Sequence, residues 1–253
     1  MMGLSAFREL LLLWASVAAA QTPSAPPVDT IVGRYLAARG GADRIRGVKA
    51  IRLTGHMEFG QGLAGVDTVE MARGGRVRTT VHLPAGVLVQ GFDGRTVWGI
   101  NPFQGDTAPH VLDAGTAKNV IAGGDMDGPL LDYRTRGIRV SVARLDTANG
   151  RPAWALVVIR PDSNVDTYFV DTASYQLTKW QGHRVADGVP VIYETYFRDY
   201  RRVAGFWFSC RLESHTLGQP GQQVIVVDSV TVDPPVEDSR FQMPRSSRAP
   251  RVP

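Results

Sequence analysis

The stretch Val87–Pro102, VLVQGFDGRTVWGINP, decides the fold class of this chain. Two short apolar runs flank Asp93-Gly94, a dipeptide that readily adopts the positive φ angles of a two-residue hairpin turn. In the second run, Trp98 and Ile100 share one face of a strand, and the proline that follows ends the ladder because it has no amide hydrogen. The stretch contains no nucleophile beside a base. It predicts an antiparallel hairpin that forms one wall of an apolar container.

Alternation of apolar and polar residues continues on both sides of the hairpin and predicts about eleven antiparallel strands. The alternation begins at Ala50 and recurs until Val232, where Pro234-Pro235 ends the sheet. Short turns such as Gly74-Gly75 favour a meander, and no helix alternates with the strands, which excludes a parallel α/β sheet. A sandwich and a strongly curved sheet both fit this pattern. We favour the curved sheet, in one mainly β (α+β) domain over residues 28–245.

Two segments depart from the alternation. Apolar residues recur at helical spacing after Pro27 and predict a helix that ends at Gly40-Gly41; they are Val28, Ile31, Val32, Tyr35 and Leu36. The segment Gln104–Asp127 is polar, and only Thr116–Ala122 in it has the composition of a short helix. We expect this segment to be a lid, with a loose insertion as the alternative.

The first residues predict the cellular compartment. Arg8 precedes the apolar run Leu10–Ala20, which ends in small residues and resembles a secretory signal peptide over residues 1–20. A proline-rich linker over 21–27 follows, and we expect a disordered tail over 246–253. The single cysteine, Cys210, alternates inward in an apolar strand and is expected to be a buried thiol. These features predict a periplasmic protein that is soluble after cleavage.

Charge and residue spacing exclude several functional classes. The net charge is +4, and the basic residues are scattered among acidic ones, so no nucleic-acid groove is expected. The five histidines never occur at ligand spacing, so no metal site is expected. No Gly-x-Ser-x-Gly motif or phosphate loop is present. We therefore expect no catalytic residue, no cofactor and no enzyme activity.

Several motifs, in their order along the chain, resemble the LolA-like superfamily of periplasmic outer-membrane lipoprotein-sorting proteins. They are Ala37–Gly41 with Ile45 and Val48, Phe92–Gly94 with Val97-Trp98 and Asn101-Pro102, Gly128–Tyr133, Phe169–Thr172, Glu194-Thr195 with Asp199–Arg201, Val203 and Gly205, and Asp238 with Phe241 and Pro244. The resemblance implies an unclosed antiparallel β-barrel with a helical lid over an apolar cavity. It also implies that the protein carries acyl chains or lipoproteins. The motifs do not place the arginine that the carriers have in their cavity on a position of this sequence, and we take Arg78 as a guess.

The candidate ligand-binding residues are the large apolar side chains expected to line the cavity or the lid. They are Met57, Phe59, Met71, Phe92, Trp98, Val120, Ile121, Leu130, Leu131, Tyr168, Trp180 and Tyr196. The expected partners are lipid or lipoprotein acyl chains, with peripheral membrane contact at most, for a monomeric protein. The alternative function is a sensor or assembly partner that detects lipoproteins in the same cavity and acts through envelope protein contacts. An enzyme on the same fold is the third possibility.

Overall fold

The computed structural model describes residues 25–59, 62–186 and 189–245. The predicted signal peptide over 1–20, most of the linker and the predicted tail over 246–253 lie outside these ranges. Among the described residues, no helix has the length and apolar character needed to cross a membrane.

The described residues form three α-helices. Helix α1 (Val28–Arg39) and helix α2 (Ala42–Gly47) precede the sheet, and helix α3 (Ala114–Gly123) lies between strands. The predicted α1 is confirmed: its apolar stripe is buried, and the chain leaves the helix at Gly40, whose φ of 129° suits glycine. Short 3-10 helices cover Pro102–Gln104 and Asp238–Phe241.

Thirteen strands form one antiparallel sheet. They are β1 (Ala50–Phe59), β2 (Leu63–Ala72), β3 (Arg76–Leu83), β4 (Gly86–Phe92), β5 (Val97–Asn101), β6 (Asp106–Val111), β7 (Arg139–Ala148), β8 (Arg151–Ile159), β9 (Val165–Asp171), β10 (Leu177–Ala186), β11 (Val189–Val203), β12 (Phe206–Thr216) and β13 (Gln223–Val232).

The order of the strands across the sheet is β6-β5-β4-β3-β2-β1-β13-β12-β11-β10-β9-β8-β7. Strands that are consecutive in sequence are paired, except for β6 and β7, and β1 pairs with β13 near the centre of the sheet. Strands β6 and β7 are the two edges, so the sheet is not closed into a barrel. Because twist accumulates over thirteen strands, the sheet curls and has an inner and an outer face. The predicted unclosed, curved antiparallel sheet is confirmed.

The predicted number of about eleven strands is too low. The main omission is β6, which lies inside the segment expected to be lid or loop. Its sequence, DTAPHV, contains a proline and few apolar residues, and it shows no regular alternation of apolar and polar residues. Proline is tolerated there because β6 is an edge strand.

Two apolar clusters cover the inner face. The first packs α1 and the Leu130–Tyr133 knuckle against β7–β10, and its fully buried members include Ile31, Leu156 and Val158. The second packs Val48, which follows α2, together with Val120 of α3 and Met126 against β1–β4, β12 and β13. The inner face is therefore covered at both ends of the sheet by helical or looped chain, with open space between the two clusters.

On the outer face the chain end folds back over β2–β5. Phe241 is fully buried against Ala50 and Ala72, and the Arg240 guanidinium donates to the buried Glu70 carboxylate at 2.6 Å. Arg78 lies on this face, with its guanidinium 5.5 Å from the centre of the Trp98 ring. The expectation of Arg78 as a cavity arginine is therefore wrong, because its side chain lies on the opposite side of the sheet from the hollow.

Candidate functional site

An open hollow of about 480 Å³ lies on the inner face, between the middle of the sheet, α1 and the chain that follows α3. This volume lies within the range of roughly 300–1,000 Å³ found for pockets that hold small molecules. Most of the side chains that line it are apolar or aromatic. They are Tyr35, Ala38, Leu53, Ala122, Pro129, Tyr168, Leu177, Phe197, Tyr200, Trp207, Phe208, Leu212 and Val227.

The floor of the hollow is set by strand register. Phe197 and Leu212 are directly opposite each other across β11 and β12, so both point to the same face. In β13, Asp228 is an extra residue in the pairing with β1, because Thr54 faces Ser229 while Gly55 faces Val227. This bulge changes the face to which the remainder of β13 points and brings Val227 inward.

Gly55 makes this bulge possible. A Cβ atom at Gly55 would collide with the carbonyl oxygen of Val226, so only glycine fits there. The floor of the hollow therefore depends on one glycine and one extra residue, neither of which carries an apolar side chain.

One end of the hollow is polar. The Arg160 guanidinium donates from Nε to the Asp166 carboxylate at 3.1 Å and from Nη2 to the Tyr168 hydroxyl at 3.3 Å. Asp166 is fully buried, whereas Arg160 is partly exposed toward the hollow. Burial raises the pKa of Tyr168 well above its ordinary value, and burial does the same for Tyr200, so both phenols stay protonated at neutral pH.

Residues 124–128 form the rim between α1 and the sheet, and arginines from both sides hold them in place. Arg39 of α1 donates to the carbonyl oxygens of Asp127, at 2.6 Å, and Met126, at 3.1 Å. Arg73 pairs with the Asp127 carboxylate at 2.6 Å, and Arg136 pairs with Asp125 at 2.7 Å. The rim is therefore fixed by charged hydrogen bonds in addition to the apolar packing of Met126 on the second cluster.

A second opening of about 350 Å³ adjoins the hollow on the far side of this rim. It shares Ala122, Asp125 and Arg160 with the hollow and is otherwise lined by Arg73, Gly74, Gly75, Ile121, Gly124, Met126, Asp127 and Arg136, with Ala72 at its base. The apolar space thus opens toward a mouth that is rich in guanidinium and carboxylate groups.

Helix α3 covers the inner face of β3–β5 and ends at the hollow. The Asp113 carboxylate caps its N-terminus by accepting from the amides of Gly115 and Thr116, at 2.8 and 3.1 Å. Val120 packs on the second apolar cluster, whereas Ile121 is 42% exposed and borders the second opening. Only the last turn of α3 borders the hollow, so the helix covers its rim and leaves the rest open.

The structure brings some of the predicted candidates to the hollow and not others. Tyr168 lines the hollow itself. The inner-face clusters hold Met71, Phe92, Val120, Leu130 and Trp180. Leu131 is buried in the knuckle, Met57 is buried where its sulfur accepts from the Gln223 amide, and Phe59 is half-buried at the end of β1.

Two candidates lie on the outer face. Trp98 is fully buried beneath the C-terminal chain. Tyr196 donates from its hydroxyl to Glu194 at 3.2 Å, and the Lys179 ammonium lies 5.5 Å from its ring centre. Because Tyr196 and Phe197 are consecutive in β11, they face opposite sides, and only Phe197 lines the hollow.

Sequence reasoning missed Leu53, Phe197, Phe208, Leu212 and Val227 as lining residues. The sequence could have identified three of them as facing inward. Leu53 in β1, and Phe208 and Leu212 in β12, occupy the apolar positions of strands in which apolar and polar residues alternate. The candidates were instead chosen for aromatic or methionine side chains, and that preference selects core residues at least as readily as cavity walls.

The chemistry that this site offers is apolar contact with a few polar groups at one end. Within the described ranges, no three His, Cys, Asp or Glu side chains lie together in an arrangement that holds a metal ion. The predicted burial of Cys210 is confirmed, and burial raises the pKa of its thiol.

Comparison with known proteins identifies the fold. No family model and no curated protein sequence matches the chain. Among solved structures, a DUF1329 family protein from Desulfovibrio piger matches with a TM-score of 0.61 at 9% identity, over 86% of this chain and 98% of that one.

Two further solved structures agree. A LolA superfamily protein from Nitrosomonas europaea matches with a TM-score of 0.59 at 13% identity, over 86% of this chain and 98% of its own. A domain from Vibrio parahaemolyticus assigned to outer-membrane lipoprotein sorting matches with a TM-score of 0.56 at 11% identity, over 84% and 94%. The expected resemblance holds at the level of structure: this chain has the LolA-like fold.

Proposed function

We propose that the protein is a periplasmic carrier or chaperone that binds the acyl chain of a lipid or lipoprotein in the inner hollow. The observation that carries this proposal is the apolar floor formed by Leu53, Phe197, Leu212 and Val227 in an open space of about 480 Å³. An acyl chain needs apolar walls and few polar groups, because release of water from both surfaces supplies the driving force.

The free energy gained by burying part of an acyl chain in the hollow is large enough to support binding. Burial contributes about 0.8 kcal/mol per methylene, so eight buried methylenes contribute roughly 6 kcal/mol before the costs of association. The polar end at Arg160 and the adjoining mouth would hold the headgroup, where spare guanidinium N–H groups can donate to ester, phosphate or carboxylate oxygens.

The proposal also includes the periplasm as the compartment and a role that is not enzymatic. The leader-like sequence over 1–20 supports export to the periplasm. The likeness to a domain assigned to outer-membrane lipoprotein sorting supports cargo with acyl chains. We propose a non-enzymatic role because Tyr168 and Tyr200 stay protonated and Arg160 is held by Asp166, which leaves the polar end suited to binding.

Native mass spectrometry with lipid extraction, on protein purified from a periplasmic fraction, tests this proposal. We expect a bound phospholipid or acylated peptide that a hydrophobic dye displaces. Phe197→Ser should weaken dye binding at least five-fold, whereas Tyr196→Ser, the next residue on the outer face, should leave it within two-fold. A clean apo mass with no dye binding would contradict the carrier and favour a sensor or assembly partner that acts through protein contacts.

A further inference from the structure

Arg160 is placed where the apolar hollow meets its polar mouth. Of the arginines in the described ranges, it alone lines both the hollow and the second opening. It follows β8, and a tight turn fixes its backbone, since its amide donates to the Asn164 carbonyl oxygen at 3.0 Å. Its side chain is 22% exposed, and Asp166 and Tyr168 hold the guanidinium through Nε and Nη2. The guanidinium is therefore positioned before any ligand binds, which lowers the cost of binding one.

The hydrogen bonds of the four arginines around these two spaces differ at one atom. Arg39, Arg73 and Arg136 each donate from both terminal nitrogens, Nη1 and Nη2, to carbonyl or carboxylate oxygens. Arg160 donates from Nε and Nη2, and its Nη1 has no acceptor among the residues that the structure describes. This nitrogen carries two N–H donors and cannot accept a hydrogen bond. Its donors are thus left for an oxygen of water or of a ligand.

The charges around the two spaces do not balance. Four guanidinium groups line them, against the carboxylates of Asp125 and Asp127, and buried Asp166 is a third carboxylate behind Arg160. Arg39 is the guanidinium without an acidic partner in the described part of the chain, because its hydrogen bonds go to backbone carbonyl oxygens. One positive charge is therefore in excess around the site.

The carboxylates at the mouth are already engaged by arginines. Asp127 accepts from Arg73 through both of its oxygens, and Asp125 accepts from Arg136 at 2.7 Å. A cationic headgroup would therefore meet carboxylates that are already neutralised, together with the excess positive charge. A headgroup with one negative charge would instead neutralise that excess and accept a charge-assisted hydrogen bond from Nη1 of Arg160.

We infer that the site selects acyl ligands whose headgroup is a monoanion, with a headgroup oxygen that accepts from Nη1 of Arg160. The inference rests on the proposed function, because it names the class of ligand that the hollow carries. Two headgroups have this chemistry, the carboxylate of a fatty acid and the phosphodiester of a phospholipid. Because the Arg160 side chain is largely shielded from solvent, salt screens this pairing less than it screens a surface ion pair.

Competition binding with four ligands that share a myristoyl chain tests the inference. Myristate and myristoyl lysophosphatidylglycerol are monoanions, monomyristoylglycerol is neutral, and myristoylcholine is a cation. Each competes with a hydrophobic dye for the wild-type protein, below its critical micelle concentration. We expect the monoanions to displace the dye at concentrations about ten-fold lower than the neutral ligand, and the cation to be the weakest. A preference for only one of the two monoanions would support the inference and identify the headgroup as a carboxylate or a phosphodiester.

A double variant tests whether Arg160 is the source of the selectivity. Arg160→Gln combined with Asp166→Asn removes the guanidinium together with its buried partner, so the net charge of the protein stays the same. We expect it to weaken binding of both monoanions about five-fold and to change binding of the neutral ligand less than about two-fold. Arg95→Gln, at an exposed turn, is the control and should change neither. Far-UV circular dichroism checks folding, and the ligand series on the wild type tests the inference without any variant.

The outcomes distinguish failure of this inference from failure of the proposed function. Equal binding of all four ligands, or a selectivity that the double variant retains, would overturn the inference and leave the carrier intact. If none of the ligands displaced the dye, both would be wrong. Phe197→Ser alters the apolar floor, so it should weaken all four ligands by a similar factor. Monoanion binding that Phe197→Ser leaves unchanged would place the anion outside the hollow and would also overturn the inference.

Discussion

The Trp98 indole donates a hydrogen bond from Nε1 to the carbonyl oxygen of Phe241 at 2.8 Å, across a buried contact between residues that are 143 positions apart. Trp98 comes from the hairpin that defines the fold, and Phe241 lies in the chain end that folds back over the outer face. Gly91 makes room for the indole, because a Cβ there would lie 2.6 Å from the ring. The hairpin of β4 and β5 and the C-terminal end of the domain are thus joined on the face away from the hollow.

The first prediction concerns this contact. Trp98→Phe should lower the free energy of unfolding by about 1–3 kcal/mol, because the buried carbonyl oxygen loses its donor. Trp207→Phe is the control, since Trp207 is partly exposed, and it should cost less than about 0.5 kcal/mol. Urea denaturation followed by circular dichroism gives both values. Equal costs for the two variants would refute a special role for the Trp98 hydrogen bond.

The second prediction concerns the rim. Arg73 pairs with Asp127 through both carboxylate oxygens and donates to the carbonyl oxygens of Val48 and Ile45. Arg73→Lys keeps the charge but cannot make these contacts together, so we expect a loss of about 1.5–3 kcal/mol in stability. Arg95→Lys, at an exposed turn of the same edge, should be nearly neutral. Thermal denaturation compares the two, and a neutral Arg73→Lys would show that the rim is not held by this guanidinium.

The third prediction distinguishes the contribution of α3 to lipid binding from its contribution to stability. Ile121→Asp should weaken lipid binding and leave both the far-UV circular dichroism and the stability unchanged, because Ile121 is exposed at the second opening. Val120→Asp should also lower stability, because Val120 packs on the second apolar cluster. A dye-binding titration and a urea titration on each variant measure the two effects. Full lipid affinity in Ile121→Asp would mean that this turn does not contribute to the site.

The fourth prediction concerns pH. Asp67 is only 4% exposed, and its Oδ1 atom has no hydrogen-bond partner among the described residues. Burial raises the pKa of its carboxyl group, so the folded state holds the proton to a higher pH than the unfolded state. Stability from this group is therefore fully present below the unfolded pKa, about 3.9, and is lost as the pH rises through the folded pKa.

Asp67→Asn removes this dependence. We expect its urea midpoint to exceed that of the wild type at pH 7, and the difference to shrink toward pH 4. Asp43→Asn, which alters a carboxylate that is 98% exposed and does not act on Asp67, is the control. A stability difference for Asp67→Asn that grows as the pH falls would have the wrong sign for a buried, unpaired carboxyl group.

The features that local sequence determines were predictable. The helix over Val28–Arg39 follows from apolar spacing and a glycine stop, and the hairpin around Asp93-Gly94 follows from turn chemistry. The helical character of Thr116–Ala122 was also correct, since it lies within α3. These features depend on contacts between residues close in sequence.

Which side chains point into the hollow depends on contacts between residues that are distant in sequence, so the lining was only partly predictable. In β11, Tyr196 and Phe197 are both aromatic, so alternation alone does not tell which one points inward. Trp98 has the size of a cavity wall, but the chain end that covers it comes from residues far along the sequence. The bulge at Asp228, which turns Val227 inward, leaves no apolar signal of its own.

Photo-crosslinking tests the central claim, that the hollow binds an acyl chain, most directly. A palmitic acid carrying a diazirine near its methyl end would be bound to the protein, irradiated and mapped by peptide mass spectrometry. We expect crosslinks in the inner-face peptides that contain Leu53, Phe197, Leu212 or Val227, and their loss in competition with unlabelled lipid. Crosslinks confined to outer-face peptides such as that of Trp98, or insensitive to competition, would contradict it.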